Sequence, residues 1–291
     1  MADNKNATAQ TDMSAWIEGV IKEFCQKSPE NSLKNQENEP ATYDPLVGFS
    51  SGADPLYAFL KKDIGPQKTP IEIFQKSFPG ESVTPQELTV ISYILPATRL
   101  TKDDNSKETK HPSERWARTK HFGGLFGSKL SEHLVETLKN AGYEAIAPYA
   151  QFGDVSISGR YWLASAWSER HAAYVSGLGT FGLCDGLITE RGKAMHCFSV
   201  IAKIQIPPTP RPYKNHHDYC LYYADGSCSA CIKRCPAGAI STKGHNKSRC
   251  MQYCFGPALQ YIRNNFGIDD YGCGLCQTGV PCESRNPMSG R

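Results

Sequence analysis

The sequence predicts an α+β protein, with an α/β main domain followed by a short cysteine-rich tail. Three observations carry this. Apolar residues recur with helical and then strand spacing up to about residue 206. Four prolines then cluster at Pro207, Pro208, Pro210 and Pro212, and 9 of the 12 cysteines lie between Cys220 and Cys282. At 291 residues and 40% apolar content the chain can bury a large core and a small second one.

The elements follow in order. Residues 1–12 read as a leader, and Trp16, Ile17, Val20, Ile21 and Phe24 then repeat with helical spacing, ending at a core thiol, Cys25. Together, 1–44 form a leader and helix closed by a turn-rich loop. Val90–Leu95 is a short β-rich run stopped by Pro96, and the charged stretch 101–112 reads as solvated loop. Leu130, Leu134, Val135 and Leu138 mark a helix face that stops at Gly142. A strand follows over Tyr143–Ala147, then a helix over 161–176, an extended Leu187–Thr189, and a hairpin turn at Glu190–Lys193 leading into the strand His196–Ile206. On that last strand Phe198, Val200, Ala202, Ile204 and Ile206 share a face, while His196 and Cys197 point opposite ways. The proline run is a stiff connector, which sets the domains at 45–206 and 207–291.

Charge excludes little by itself. The net charge of +3, from 32 basic and 29 acidic side chains, gives no argument for nucleic acid, which is expected to be an unlikely partner. No apolar run approaches the roughly 18 residues of a membrane span, and the N-terminus lacks a secretory signal, so a cytoplasmic protein is expected. Cytosolic thiols stay reduced, so a dense cysteine group points to metal before disulfides.

The segment Cys228-Ser-Ala-Cys231-Ile-Lys-Arg-Cys235-Pro236 is most of a bacterial two-cluster ferredoxin run, lacking its first cysteine. Two residues between cysteines curl the chain round one corner of a cube, and the cysteine before the proline turns toward a second cluster. Downstream come Cys250, Cys254, Cys273, Cys276 and Cys282. The expected ligand sets for two [4Fe–4S] clusters are Cys235, Cys250, Cys273 and Cys276 for one, and Cys228, Cys231, Cys282 and an upstream donor for the other. Cys220 is the preferred donor because thiolate suits iron, with Asp225 and Cys254 as alternatives. Two C-x2-C pairs can also build a tetrahedral zinc centre, although nine cysteines exceed what one zinc needs. Lys233, Arg234, Lys243, Lys247 and Arg249, among these ligands, either offset the cluster charge or form a solvated face.

Gly177-Leu178-Gly179-Thr180-Phe181-Gly182 matches G-x-G-x-x-G, but a helix precedes it and an extended segment follows, the reverse of a dinucleotide site. Its glycines serve either turn geometry or close approach to something flat. Cys184 reads as a small buried residue or one facing a cofactor, and His171 as a bonded core histidine or a proton donor. His216 and His217 read as exposed connector residues. Tyr161, Trp162 and Trp167 read as core aromatics or a pocket wall.

The run Ser168–Gly182, then Gly186-Leu-Ile-Thr189, then Cys250-Met-Gln-Tyr253 and Tyr271-Gly-Cys273-x-x-Cys276-Gln277, resembles epoxyqueuosine reductases and the catalytic part of corrinoid reductive dehalogenases over roughly residues 85–287. The resemblance implies a nitroreductase-like main domain holding a base-off cobalamin, a double [4Fe–4S] ferredoxin-like tail, and electrons passing from cluster to cluster to cobalt. It places Gly177, Leu178, Gly179, Thr180, Phe181 and Gly182 against the corrin. A low-potential ferredoxin or flavodoxin and a corrinoid become the expected partners. In the epoxyqueuosine enzymes an aspartate stands six residues before the glutamate matched by Glu169; here that position is Leu163, and the nearest upstream acid is Asp154. Corrinoid reduction or processing is therefore expected ahead of tRNA modification. The alternatives are a ferredoxin-type electron carrier for a partner enzyme and a true epoxyqueuosine reductase acting on tRNA.

Overall fold

The computed structural model describes residues 2–153, 155–158 and 161–290. The first helix, α1 (Ala2–Lys27), packs Ile17, Ile21 and Cys25 into the core. It starts before the expected residue 13, since extending a formed helix adds a hydrogen bond per residue without a new nucleus. Strand β1 (Leu46–Ser51), helices α2 (Pro55–Ile64) and α3 (Pro70–Ser77), and strand β2 (Leu88–Pro96) follow. Next come α4 (Arg99–Lys107), α5 (Glu114–Arg118), α6 (Gly124–Asn140), β3 (Ala145–Ile146) and α7 (Tyr149–Phe152). The main body closes with β4 (Val155–Ser158), β5 (Trp162–Ser165), α8 (Glu169–Val175), β6 (Gly179–Phe181), β7 (Leu187–Thr189) and β8 (Met195–Lys203).

The central sheet has the order β1-β2-β8-β3, and each of its pairings is antiparallel. This corrects the α/β reading of the main domain to α+β. Two helices, not one, lie between β1 and β2, so the chain re-enters the sheet from the opposite end. The register Ile91↔Val200, Tyr93↔Phe198 and Leu95↔His196 puts Tyr93, Phe198 and Val200 under α1 and α6. The other face carries Val90 and Ile201 against α2, α3 and α8. With both faces covered, β2 is buried along its whole length, so its apolar residues run on without alternating. The expected face Phe198, Val200, Ala202, Ile204 and Ile206 lies in one core cluster.

Three expectations change. The 101–112 loop begins as α4, whose cap residue Thr98 accepts a bond from the Thr101 amide (3.2 Å) and whose buried side chains are the polar Thr101 and Asn105. The 161–176 helix is a strand followed by a shorter helix: β5 pairs with β4, and Ser168 caps α8. The strand Leu187–Thr189 pairs with the glycine segment, β6, rather than with β8.

After β8 the prolines lie along the body. The Thr209 amide donates to the Phe49 carbonyl (2.9 Å), and Arg211 bonds Asp54 (2.6 Å) and the Val175 carbonyl (3.0 Å). The tail contains α9 (Leu221–Asp225), α10 (Ala230–Lys233), a two-residue hairpin β9 (Ile240–Ser241) with β10 (Gly244–His245), α11 (Lys247–Tyr253) and α12 (Leu259–Phe266).

Arg234 fixes this tail to the body. Its guanidinium donates to the carbonyls of Asn105 (3.0 Å), Ser106 (3.0 Å) and Glu108 (2.8 Å) at the end of α4, and to those of Leu275 (3.1 Å) and Thr278 (2.9 Å). The solvated-face reading therefore fails for Arg234, because a planar fork of donors can satisfy carbonyls from two segments at once. Arg234→Ala is expected to lose about 3 kcal/mol in urea unfolding, since several part-buried carbonyls lose a charged partner. Arg234→Lys should recover little of it, because one ammonium cannot span the same acceptors.

Candidate functional site

The glycine segment is built by the end of α8. The Leu178 amide donates to the Ala173 carbonyl (3.0 Å) and the Gly177 amide to the Tyr174 carbonyl (3.3 Å), with Gly177 at φ 81°. This paired pattern is a Schellman stop, and the contact between Leu178 and Ala173 completes it. A Cβ on Gly179 would stand 2.1 Å from the Ile188 carbonyl oxygen, so Gly179 lets β6 lie tight against β7. Thr180 is buried and accepts from the Tyr219 amide (2.9 Å), and the Gly182 amide closes a turn onto Gly186 (2.8 Å). Gly177, Leu178, Gly179, Thr180 and Gly182 are thus engaged by the protein's own backbone. The turn reading of Gly177 and Gly179 has a geometric basis.

Phe181 differs, since its ring keeps some surface. It shares an apolar cluster with Met195 and Cys197, which also keep surface. The outer edge of β8 is open there, because β3 pairs only with Ile201 and Ala202. Arg170 lies close enough to influence Cys197 and His196, whose imidazole burial pushes down to about 3. Cys197 contacts Met195 (3.3 Å) while His196 leans toward Phe198, so the two do split across the strand.

Ten cysteines gather in two groups and the seam between them. Cys220, Cys228, Cys231 and Cys282 line one cleft together with Lys193. This is the expected first set, with Cys220 as its upstream member. Asp225 instead accepts from the Ser227 amide (2.9 Å). Cys235, Cys250, Cys254 and Cys273 lie within electrostatic reach of one another, with Cys250 and Cys254 4.0 Å apart. Cys254 therefore stands with the second group. Cys276, expected there too, sits against Cys184 at the seam between the groups. Among the described residues no three His, Cys, Asp or Glu converge tightly enough for a single metal ion. The donor chemistry, soft sulfur spread round a cleft, suits the corners of a cube. The Cys235 sulfur also accepts from the Ala239 amide (3.2 Å), a bond of the kind that tunes a cluster's potential.

Lys193 and Cys184 were not singled out together by the sequence. Lys193 is 2% exposed and donates to the Cys184 sulfur at 3.2 Å. Contacts with Cys231 and Cys276, then the ammonium, hold the Cys184 thiol well below its usual range. A lysine in a Glu-Arg-Gly-Lys turn carries no local signal of burial; only the fold reveals it.

The histidines divide. His171 Nδ1 lies 3.0 Å from the Gln67 amide nitrogen and 2.9 Å from the Ser168 hydroxyl, and burial pushes its imidazole down to about 4, so it is a neutral bonded core residue. His217 meets the Phe181 carbonyl (2.7 Å) and stacks on Tyr223, which makes it a brace instead of an exposed connector. His245 pairs with Asp185 (3.1 Å), tying the tail hairpin to the glycine segment. Trp167 is core, stacked on Tyr57 and bonded to Ser199 (3.0 Å). The Trp162 side chain and Asp154 lie outside the described residues. Leu163 sits on β5 opposite Ile157, and its carbonyl accepts from Lys247 (3.3 Å).

Glu169 is a buried acid in the first turn of α8, and among the described residues neither carboxyl oxygen meets a hydrogen-bond partner in good geometry. Burial raises its carboxyl to about 8, with Ser199 and Trp167 nearby easing the charged form in part. The folded chain thus holds a proton that the unfolded chain releases above its ordinary carboxylate range. Stability is full at low pH and falls between about pH 5 and about pH 8. Glu169→Gln is expected to flatten that fall, gaining about 3 kcal/mol over the native chain at pH 7 and almost nothing near pH 4, read by urea unfolding.

No family-level sequence profile matches the chain. Over 157 residues it is 26% identical to the epoxyqueuosine reductase of Bacillus anthracis, covering 53% of this chain and 35% of that one. Over 130 residues it is 32% identical to that of Francisella cf. novicida, covering 42% and 33%. Over these stretches the chain is similar to epoxyqueuosine reductases. It spans about a third of the length of these curated relatives. A reductive dehalogenase solved in work on B12-dependent dehalogenation superposes with a TM-score of 0.51 at 15% identity, over 84% of this chain and 31% of that one, a likeness of fold. No helix among the described residues is long and apolar enough to cross a membrane.

Proposed function

We propose that this chain is a cytoplasmic iron–sulfur oxidoreductase, passing electrons singly through two [4Fe–4S] clusters in a ferredoxin-like tail to a corrinoid held by the main domain. The observation that carries it is the cleft where Cys220, Cys228, Cys231 and Cys282 meet, beside the second group around Cys235, Cys250 and Cys273. The first group holds one cluster. Cys235, Cys250 and Cys273 hold the other with Cys276, or with Cys254 in its place. Relatedness to reductases and the fold of a B12-dependent dehalogenase support the cofactor assignment. Phe181, Met195 and Cys197 form the open apolar wall against which a flat macrocycle fits, with the glycine segment holding Phe181 in position. The corrinoid supplies a cobalt centre able to accept those electrons. The chain's own residues bind, exclude water, and keep His196 and His171 neutral beside the wall. A low-potential ferredoxin or flavodoxin is the fitting donor.

Anaerobic purification tests this. About eight irons and eight sulfides per chain, with a spectral change on adding cob(II)alamin, are expected. Stoichiometric zinc without sulfide overturns it, and an unchanged cobalamin spectrum removes the corrinoid.

A second reading is epoxyqueuosine reduction itself, favoured by the sequence relatives. An epoxyqueuosine reductase has been solved with an epoxyqueuosine-modified tRNA stem loop, so the exclusion of nucleic acid drawn from the small net charge is withdrawn. Against it, Leu163 stands where the matched aspartate would be. Incubating reduced, cobalamin-loaded protein with such a stem loop decides: conversion to queuosine establishes this reading and none rejects it.

A further inference from the structure

Lys193 is a buried cation whose neighbours need explaining. It follows Gly192, whose positive φ of 82° turns the chain inward, and its amide donates to the Cys282 carbonyl (2.9 Å). Its side chain reaches Cys184 at 3.2 Å inside the cleft lined by Cys220, Cys228, Cys231 and Cys282. A buried ammonium is costly unless anions surround it. Around it on the cleft wall stand the sulfurs of Cys220, Cys228, Cys231 and Cys282, with that of Cys184 at hydrogen-bond distance. Sulfur can serve as that anion only as thiolate, which is what metal ligation makes of it.

We propose that Lys193 is the built-in counter-ion of the cluster in this cleft and raises that cluster's reduction potential above that of its partner. The inference rests on the two-cluster reading. One electron from a low-potential donor takes the cluster from the 2+ to the 1+ state, with no bond made or broken. The added negative charge is stabilised by a fixed positive charge in a site that water scarcely reaches, where Coulomb interactions are strong. Cys184, whose sulfur accepts from the same ammonium, shares its charge and limits the effect. The second group lies farther from Lys193, apart from Cys276 at the seam. The two potentials are thereby set apart, and an electron entering the chain settles first on the Cys228–Cys231 side.

The test is a dithionite titration of the purified full chain, followed by electron paramagnetic resonance, with iron and sulfide measured on each sample. In Lys193→Met, with iron and sulfide retained, one cluster's midpoint is expected to fall by at least the tenfold step in equilibrium constant, about 59 mV for one electron. The other cluster should move less, and Lys193→Arg should restore most of the loss. Retained clusters with unmoved midpoints overturn the inference alone, while absence of iron and sulfide from the native chain overturns the two-cluster reading as well. If the Met variant loses iron, Lys193→Gln, neutral but still a hydrogen-bond donor, is titrated in its place: a midpoint lowered by a similar step supports the proposal, and an unmoved midpoint with clusters retained overturns it.

Discussion

Replacing Cys231 with alanine is expected to leave the chain with about four irons in place of about eight. Cys231 is 8% exposed, lines the cleft with Cys220, Cys228 and Cys282, and touches Cys184. Removing it takes away one corner ligand, and alanine offers nothing in exchange. The group around Cys235, Cys250 and Cys273 does not include it and should keep its cluster, with half the visible absorbance and one of two paramagnetic signals. Cys25→Ala is the control. Cys25 lies in the core beneath α6, where burial pushes its thiol to about 12, far from any iron. That variant should lose about 1 kcal/mol of stability and no iron. Full iron content in Cys231→Ala would mean that the cleft does not hold a cluster.

Gly192→Ala is the second large effect. A Cβ there would stand 2.1 Å from the Glu283 carbonyl oxygen and 2.4 Å from the Ser284 nitrogen, at φ 82°. The obstacle is backbone, which cannot swing aside as a side chain would. Bonds from the Lys193 amide to Cys282 (2.9 Å) and from the Ala194 amide to Glu283 (3.2 Å) depend on that close approach. Overpacking and left-handed strain together should cost about 4 kcal/mol. Cys282 rides on the displaced segment, so its cluster should be lost with the stability. Gly267→Ala separates the two causes. Gly267 is left-handed at φ 65° and ψ 20° with nothing within 4 Å, so it carries the strain without the clash. A loss of about 1 kcal/mol, with iron intact, is expected there. Equal losses in both variants would remove steric contact from the explanation.

These effects show where the sequence was readable. β8 and the α6 face were legible because each carries its own periodicity, and β2 because an unbroken apolar, β-rich run stopped by Pro96 marks a strand covered on both faces. The cysteine spacing was legible for the same local reason, since it encodes curvature round a corner. α4 was missed because its buried side chains, Thr101 and Asn105, are polar, so hydrophobic spacing does not report it. The antiparallel sheet was missed because direction depends on how many helices intervene between strands, not on any strand's composition. The Schellman stop at Gly177 was hidden behind a motif that a different fold uses for phosphates. Lys193 was invisible because burial of a charged turn residue is decided by what a segment ninety residues away does.

The Arg234 clasp bears on how such a protein is made. Its acceptors are main-chain carbonyls, from Asn105 to Glu108 on one side and from Leu275 to Thr278 on the other, together with the Thr278 hydroxyl at 3.4 Å, and none is a sulfur. The grip therefore calls on no metal ligand as an acceptor. A newly synthesised chain presents its thiols in a socket already docked on the body, so maturation becomes the filling of a preformed mould, and a chelator should bleach the protein without releasing its tail to protease.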